Sequence, residues 1–225
     1  TALGAVANTV ADQLAASPQL ADLFAQMRGA GPGDGFIALV LLAVSPIAAV
    51  YAIQATLRLR AEETGGRADS VLATSAGRPR WAASHLVFAG GGPAVLLAAL
   101  GVTIGLGYGL GTGDVSGQLP RVLAAAMAYL PAVWVMAGLA AALYGLLPRL
   151  AAPVSWAALA VEFVIELAAE VRQLGQPVVN ISPFLHIPDV LLDSEVSAAP
   201  LLWLAAVAAV LATAGLVGVR RRDIG

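Results

Sequence analysis

Glu162, Glu166 and Glu170 recur at four-residue spacing, which aligns three carboxylates on one face of a helix. They belong to an apolar run over 151–169, and Glu162 falls about 16 Å from its start at 1.5 Å per residue. A carboxylate at that depth in an apolar segment is a candidate to line a substrate path, to bind a cationic group or to carry protons. The structural alternative is a short, bent segment that leaves Glu166 and Glu170 outside, so that only Glu162 needs a hydrogen-bonding neighbour. Ser182, His186 and Asp189 are residue types of hydrolase chemistry, but consecutive placement in a loop bracketed by Pro183 and Pro188 gives no reason to expect triad geometry. That loop reads as a rigid external cap. The chain has no cysteine and two histidines, so it offers no thiolate nucleophile and no convincing metal cluster, and no metal or cofactor is expected in it. It has no lysine and no GxxxxGK[ST] loop, which excludes ATP hydrolysis by that route.

The elements that must position these residues are membrane spans. Apolar residues make up 59% of the chain and charged residues 12%, outside the range of soluble domains. Five segments have the length and composition to cross a bilayer: 36–57, 82–110, 122–147, 151–169 and 201–219. Nine of the twelve arginines lie at 58–80, at Arg149 and at Arg220, Arg221 and Arg222, each place directly against an apolar segment. With 36 outside, every one of these stretches falls in the cytoplasm, whereas Arg28, Arg121 and Arg172 and most of the loop acids fall outside. The expectation is an all-α, multi-pass protein of the bacterial inner membrane with a cytoplasmic C-terminus. No nucleic-acid face is visible. The chain starts with Thr1, and its first methionine is Met27, which reads as a piece of a longer polypeptide.

Proline at Pro46, Pro93 and Pro131 removes backbone donors inside three spans and predicts kinks, which are candidate hinges. Gly101, Gly105 and Gly109 line one helix face and predict close approach of another backbone. Residues 1–35 form an external amphipathic segment: Ser17 and Pro18 open a helix with Leu20, Leu23, Phe24 and Met27 on one face, and Gly29 to Gly35 form a turn-rich lead into the first span. In the loop 58–80, Gly65 and Gly66 end the extension of the first span, and Gly77 and Pro79 stop a short helix with Ala68, Val71, Leu72 and Ser75 on one mild apolar face. Such a helix under the bilayer suits docking on a soluble partner, with Glu62, Glu63, Arg67 and Asp69 fixing register; the alternative is a solvated loop that only sets topology.

The run LRLRAEETGGRADSVLATSAGRPRWAASH resembles the cytoplasmic loop of bacterial type-2 ABC export permeases, in particular the actinobacterial exporters of polyketide antibiotics. NISPFLHIP, at 180–188, resembles the external segment before their last span, and VGVRRRDIG resembles their C-terminus. The resemblance implies a coupling helix seated on a separate ABC ATPase dimer, which would hold the ATP and magnesium, and outward movement of an amphipathic antibiotic or lipid-like molecule. It assigns Glu62, Glu63, Arg67, Asp69, Val71 and Leu72 to ATPase contact. Those permeases are typically two six-helix halves in one chain, and this sequence looks like the second half without its first helix. The remaining half, or a second permease chain, is therefore an implied partner. Two other readings of the residues stay open: a proton-coupled secondary transporter using Glu162 and Glu166, and a non-transporting membrane scaffold.

Overall fold

The structure, a computed structural model, describes residue 9 and residues 32–64, 78–170, 181–188, 190–191 and 197–221. Among the described residues the regular elements are all helical: α1 (Pro32–Thr64), α2 (Arg78–Thr112), α3 (Val115–Ala128), α4 (Leu130–Leu146), α5 (Ala151–Glu170), one 3-10 turn (Phe184–His186) and α6 (Ala199–Arg221). Five stretches are long and apolar enough to cross a membrane: Gly33–Leu59, Ser84–Thr112, Val115–Leu146, Ala151–Ala169 and Ala199–Arg221. These are the five expected spans. Helices dominate because lipid offers no hydrogen bonds to the backbone, so each span must satisfy its own N–H and C=O groups.

The boundaries differ from the sequence reading in instructive ways. α1 begins at Pro32, so residues 32–35 are helical and do not belong to a turn-rich lead. Proline suits a first helical turn, where its missing N–H has no partner to lose, and Asp34 in that turn faces the positive end of the helix dipole. α1 continues to Thr64 and α2 begins at Arg78, which narrows the connection expected over 58–80. The expected third span is two helices. Tyr129 separates them, its N–H directed at the carbonyls of Ala126 and Met127, and Pro131 then occupies the first turn of α4. Pro131 thus starts a helix, whereas Pro46 and Pro93 lie within continuous ones. The amphipathic helix from Ser17 to Met27, the short helix carrying Arg67, Asp69, Val71 and Leu72, and Arg172 and Asp189 lie outside the described residues.

The chain divides into two compact units. One comprises Thr1–Ser45, Ala94–Leu130 and Ile187–Pro200, the other Pro46–Pro93, Pro131–His186 and Leu201–Gly225. In the first unit α2 and α3 form an antiparallel hairpin. Gly113 adopts φ 76°, a left-handed turn conformation that favours glycine, and Asp114 caps α3 by accepting from the Gly117 N–H at 3.0 Å. The Gly101, Gly105 and Gly109 stripe faces α3: a Cβ at these positions would lie 2.9, 3.0 and 2.7 Å from the Cα atoms of Leu123, Leu119 and Val115. The two backbones touch along that stripe, as the spacing predicts.

In the second unit Leu59, Tyr144, Ala151 and Val219 form one buried cluster. They come from the C-terminal ends of α1, α4 and α6 and the N-terminal end of α5, so these four ends lie together in this unit. α4 and α6 approach through glycine as well. A Cβ at Gly145 would lie 2.8 Å from the Cα of Gly215, and one at Gly218 would lie 2.6 Å from the carbonyl carbon of Gly145. Without a hydrophobic drive between helices in lipid, such backbone contact is a main source of their association.

Candidate functional site

α5 is inverted relative to a helix of a soluble protein. Its exposed surface carries Val161, Phe163, Val164 and Leu167, whereas its buried stripe carries Ser155, Leu159, Glu162 and Glu166. Apolar side chains face outward because lipid is the solvent, and polar ones turn inward because a carboxylate facing hydrocarbon costs at least about 2.5–3.5 kcal/mol. Glu162 is 6% exposed and Glu166 3%. α5 runs without interruption to Glu170, and both carboxylates are buried within the protein.

Glu162 receives a hydrogen bond from the Ser182 hydroxyl, twenty residues further along the chain. The Phe184 amide also serves this carboxylate. Ser182 is fully buried, and its oxygen accepts the Leu185 N–H at 3.1 Å, which caps the 3-10 turn. The segment expected to be an external cap thus folds back onto the span and supplies its carboxylate with donors. His186 Nδ1 lies 2.7 Å from the Ser182 carbonyl oxygen. The Ser182 hydroxyl is directed at Glu162 and the His186 Nδ1 at a backbone carbonyl, so no nucleophile-and-base pair forms there.

A cavity of about 320 Å³ in the same unit is lined by Ala89, Gly90, Trp134, Gly138, Ala208 and Ala212, among others. The Trp134 N–H donates to the Gly90 carbonyl at 3.0 Å, in the turn preceding Pro93. That bond consumes the indole donor and leaves the cavity an almost wholly apolar wall. Nothing in the sequence points to it. Alanine and glycine carry no chemical signature, and the cavity exists only because α2, α4 and α6 bring their small residues together.

At the base of α1 and α2, Glu62 Oε2 lies 3.2 Å from His85 Nε2. Glu62 is thereby engaged within the chain. The side chain of Glu63 lies outside the described residues.

The family described as multidrug efflux system permease Rv1217c, C-terminal domain, matches residues 1–220. The chain belongs to this family. It is 40% identical over 223 residues, 99% of its length, to the multidrug efflux system permease protein Rv1217c of Mycobacterium tuberculosis. The chain spans 40% of the length of that relative. The resemblance read from the loop, the NISPFLHIP segment and the C-terminus is thus borne out at the level of the family.

Proposed function

We propose that this chain is the membrane-spanning part of an ABC exporter that moves an amphipathic small molecule outward, driven by a separate ATPase dimer. The observation that carries the proposal is the match of nearly the whole chain to an efflux permease. The apolar cavity beside Trp134 supports an amphipathic cargo, because walls of alanine and glycine select by shape and apolarity and reject few such molecules. The chain's arginine distribution supports a cytoplasmic C-terminus.

Coupling rests on the stalks. α1 extends from Leu59 to Thr64 beyond its span, α2 extends from Arg78 to Ser84 before its own, and the Glu62–His85 contact braces the two. Closure of the ATPases on ATP would push the connection carrying Glu63, Arg67, Asp69, Val71 and Leu72. The braced stalks would pass that movement into α1 and α2, whose compact units divide at Pro46 and Pro93, and α3 and α4 would yield at Pro131. The decisive experiment reconstitutes the complete permease with its ATPase and measures ATP-driven substrate uptake into inside-out vesicles. Replacing Glu62, Glu63 and Arg67 together by alanine is expected to preserve hydrolysis and abolish uptake; full uptake in the triple variant would sink the coupling proposal.

Burial of Glu162 and Glu166 favours a second reading, in which protons drive transport through these carboxylates. It requires uptake that follows a pH gradient and survives loss of the ATPase.

A further inference from the structure

Glu162 stands out among the polar groups of the interior because neutral donors hold it. The Ser182 hydroxyl and the Phe184 amide reach its carboxylate, His186 acts on it electrostatically, and among the described residues it forms no ion pair. Seven residues earlier on the same buried stripe, the Ser155 hydroxyl is buried with no hydrogen-bond partner. The sequence contains no lysine, and the described arginines of this unit, Arg58, Arg149, Arg220 and Arg221 among them, lie at helix ends. A buried carboxylate is normally matched by a cation, and among the described residues no arginine meets it. The polar stripe is thus furnished for a positive group that comes from elsewhere.

We propose that Glu162 is the recognition site for the ammonium group of amphipathic organic amines, and that the Ser182 hydroxyl is its place-holder in the unoccupied protein. A protonated amine has three donors and a full charge, so it competes effectively with a neutral hydroxyl for the carboxylate. Its arrival releases Ser182, and with it the 3-10 turn that Ser182 caps, from α5. Ser155 offers a second acceptor along the same stripe. The proposal narrows the cargo of the exporter reading to cations, and it rests on that reading for the meaning of binding as a transport step.

The test is equilibrium binding of dansylcadaverine, an amphipathic primary amine, and of its neutral N-acetyl derivative to the full chain in phosphatidylcholine nanodiscs at pH 7 without nucleotide. The amine is expected to bind more tightly than the acetylated form. E162Q keeps an acceptor for Ser182 but removes the charge, and it is expected to weaken amine binding about tenfold or more while changing the acetylated form less than about twofold. S182A removes the place-holder and is expected to retain or tighten amine binding, which keeps the proposal open to test even if E162Q folds poorly. A single cysteine at Leu185, in a chain with no other, is expected to react faster with a water-soluble maleimide once the amine is added. Equal loss of both compounds in E162Q, no loss of either, or abolition of amine binding by S182A would each overturn the proposal. A response to pH alone, with amine and acetylated forms alike, would overturn it in favour of a proton site. Binding needs no ATP, so a charge-selective site in a protein that shows no ATP-driven uptake would sink the exporter reading and leave this one standing.

Discussion

Arg121 grips Asp34 through both terminal guanidinium nitrogens, at 3.1 and 2.9 Å, although 87 residues separate them in the chain. The same guanidinium donates to the Leu191 carbonyl, so one side chain ties the first turn of α1, the middle of α3 and the segment before α6. In the sequence Arg121 is an exception to the arginine sidedness. The exception has a structural cause: it is fixed by a fork-shaped contact that lysine could not reproduce.

Arg121→Ala should lower stability by about 1 kcal/mol, because Arg121 and Asp34 keep 38% and 21% exposure and water screens part of the attraction. Arg121→Lys should fall between wild type and alanine, since it keeps the charge and loses the fork. Thermal unfolding in nanodiscs, run as a double-mutant cycle with Asp34→Asn, isolates the pair. A coupling energy of zero would reduce Arg121 to a topology marker.

Gly215→Ala sets a sharper demand. Its new Cβ would lie 2.5 Å from the carbonyl carbon of Ala141, and backbone cannot swing aside as a side-chain tip can. The loss should be about 1–3 kcal/mol, as for an overpacked core. Gly91→Ala is the control, because nothing lies within 4 Å of the added atom, and it should be neutral or slightly stabilising through the unfolded chain. If both variants unfolded alike, the close approach of α4 and α6 would be wrong.

Trp134→Phe keeps most of the ring that walls the cavity and removes the N–H given to Gly90. The expected cost is about 0.5–1.5 kcal/mol in stability. Binding of a neutral apolar dye should change little, whereas Ala208→Leu, which fills the cavity, should weaken it. A dye indifferent to Ala208→Leu would show that the cavity holds no cargo.

The spans were legible because lipid forces long apolar runs. Gly101, Gly105 and Gly109 were legible because one helix carries the whole repeat. Gly145 and Gly215 were not, since each is an isolated glycine until α4 and α6 meet. Glu162 announced its need for a partner by its depth, but the partner could not be read: no local spacing says that a loop serine twenty residues away folds back into the interior. Pro131 shows the same limit from the other side. Proline signals a disturbed helix, and whether it kinks one or begins the next depends on the turn at Tyr129 that tertiary packing sets.

His85→Ala tests whether the stalks move together. The Glu62–His85 contact is partly exposed, so its loss should cost stability no more than about 1 kcal/mol. Its effect on coupling should be larger. A brace transmits displacement in proportion to its stiffness, and without it a push on the connection between α1 and α2 can spread the two stalks instead of moving them as one. On the proposed exporter reading, in proteoliposomes with the partner ATPase present, hydrolysis should stay near wild type while the substrate moved per ATP falls by severalfold. Glu62→Gln should show an intermediate ratio, because its amide can still hydrogen-bond the imidazole. An unchanged ratio in His85→Ala would mean that the stalks are coupled by other contacts and that the Glu62–His85 contact is only a local fastening.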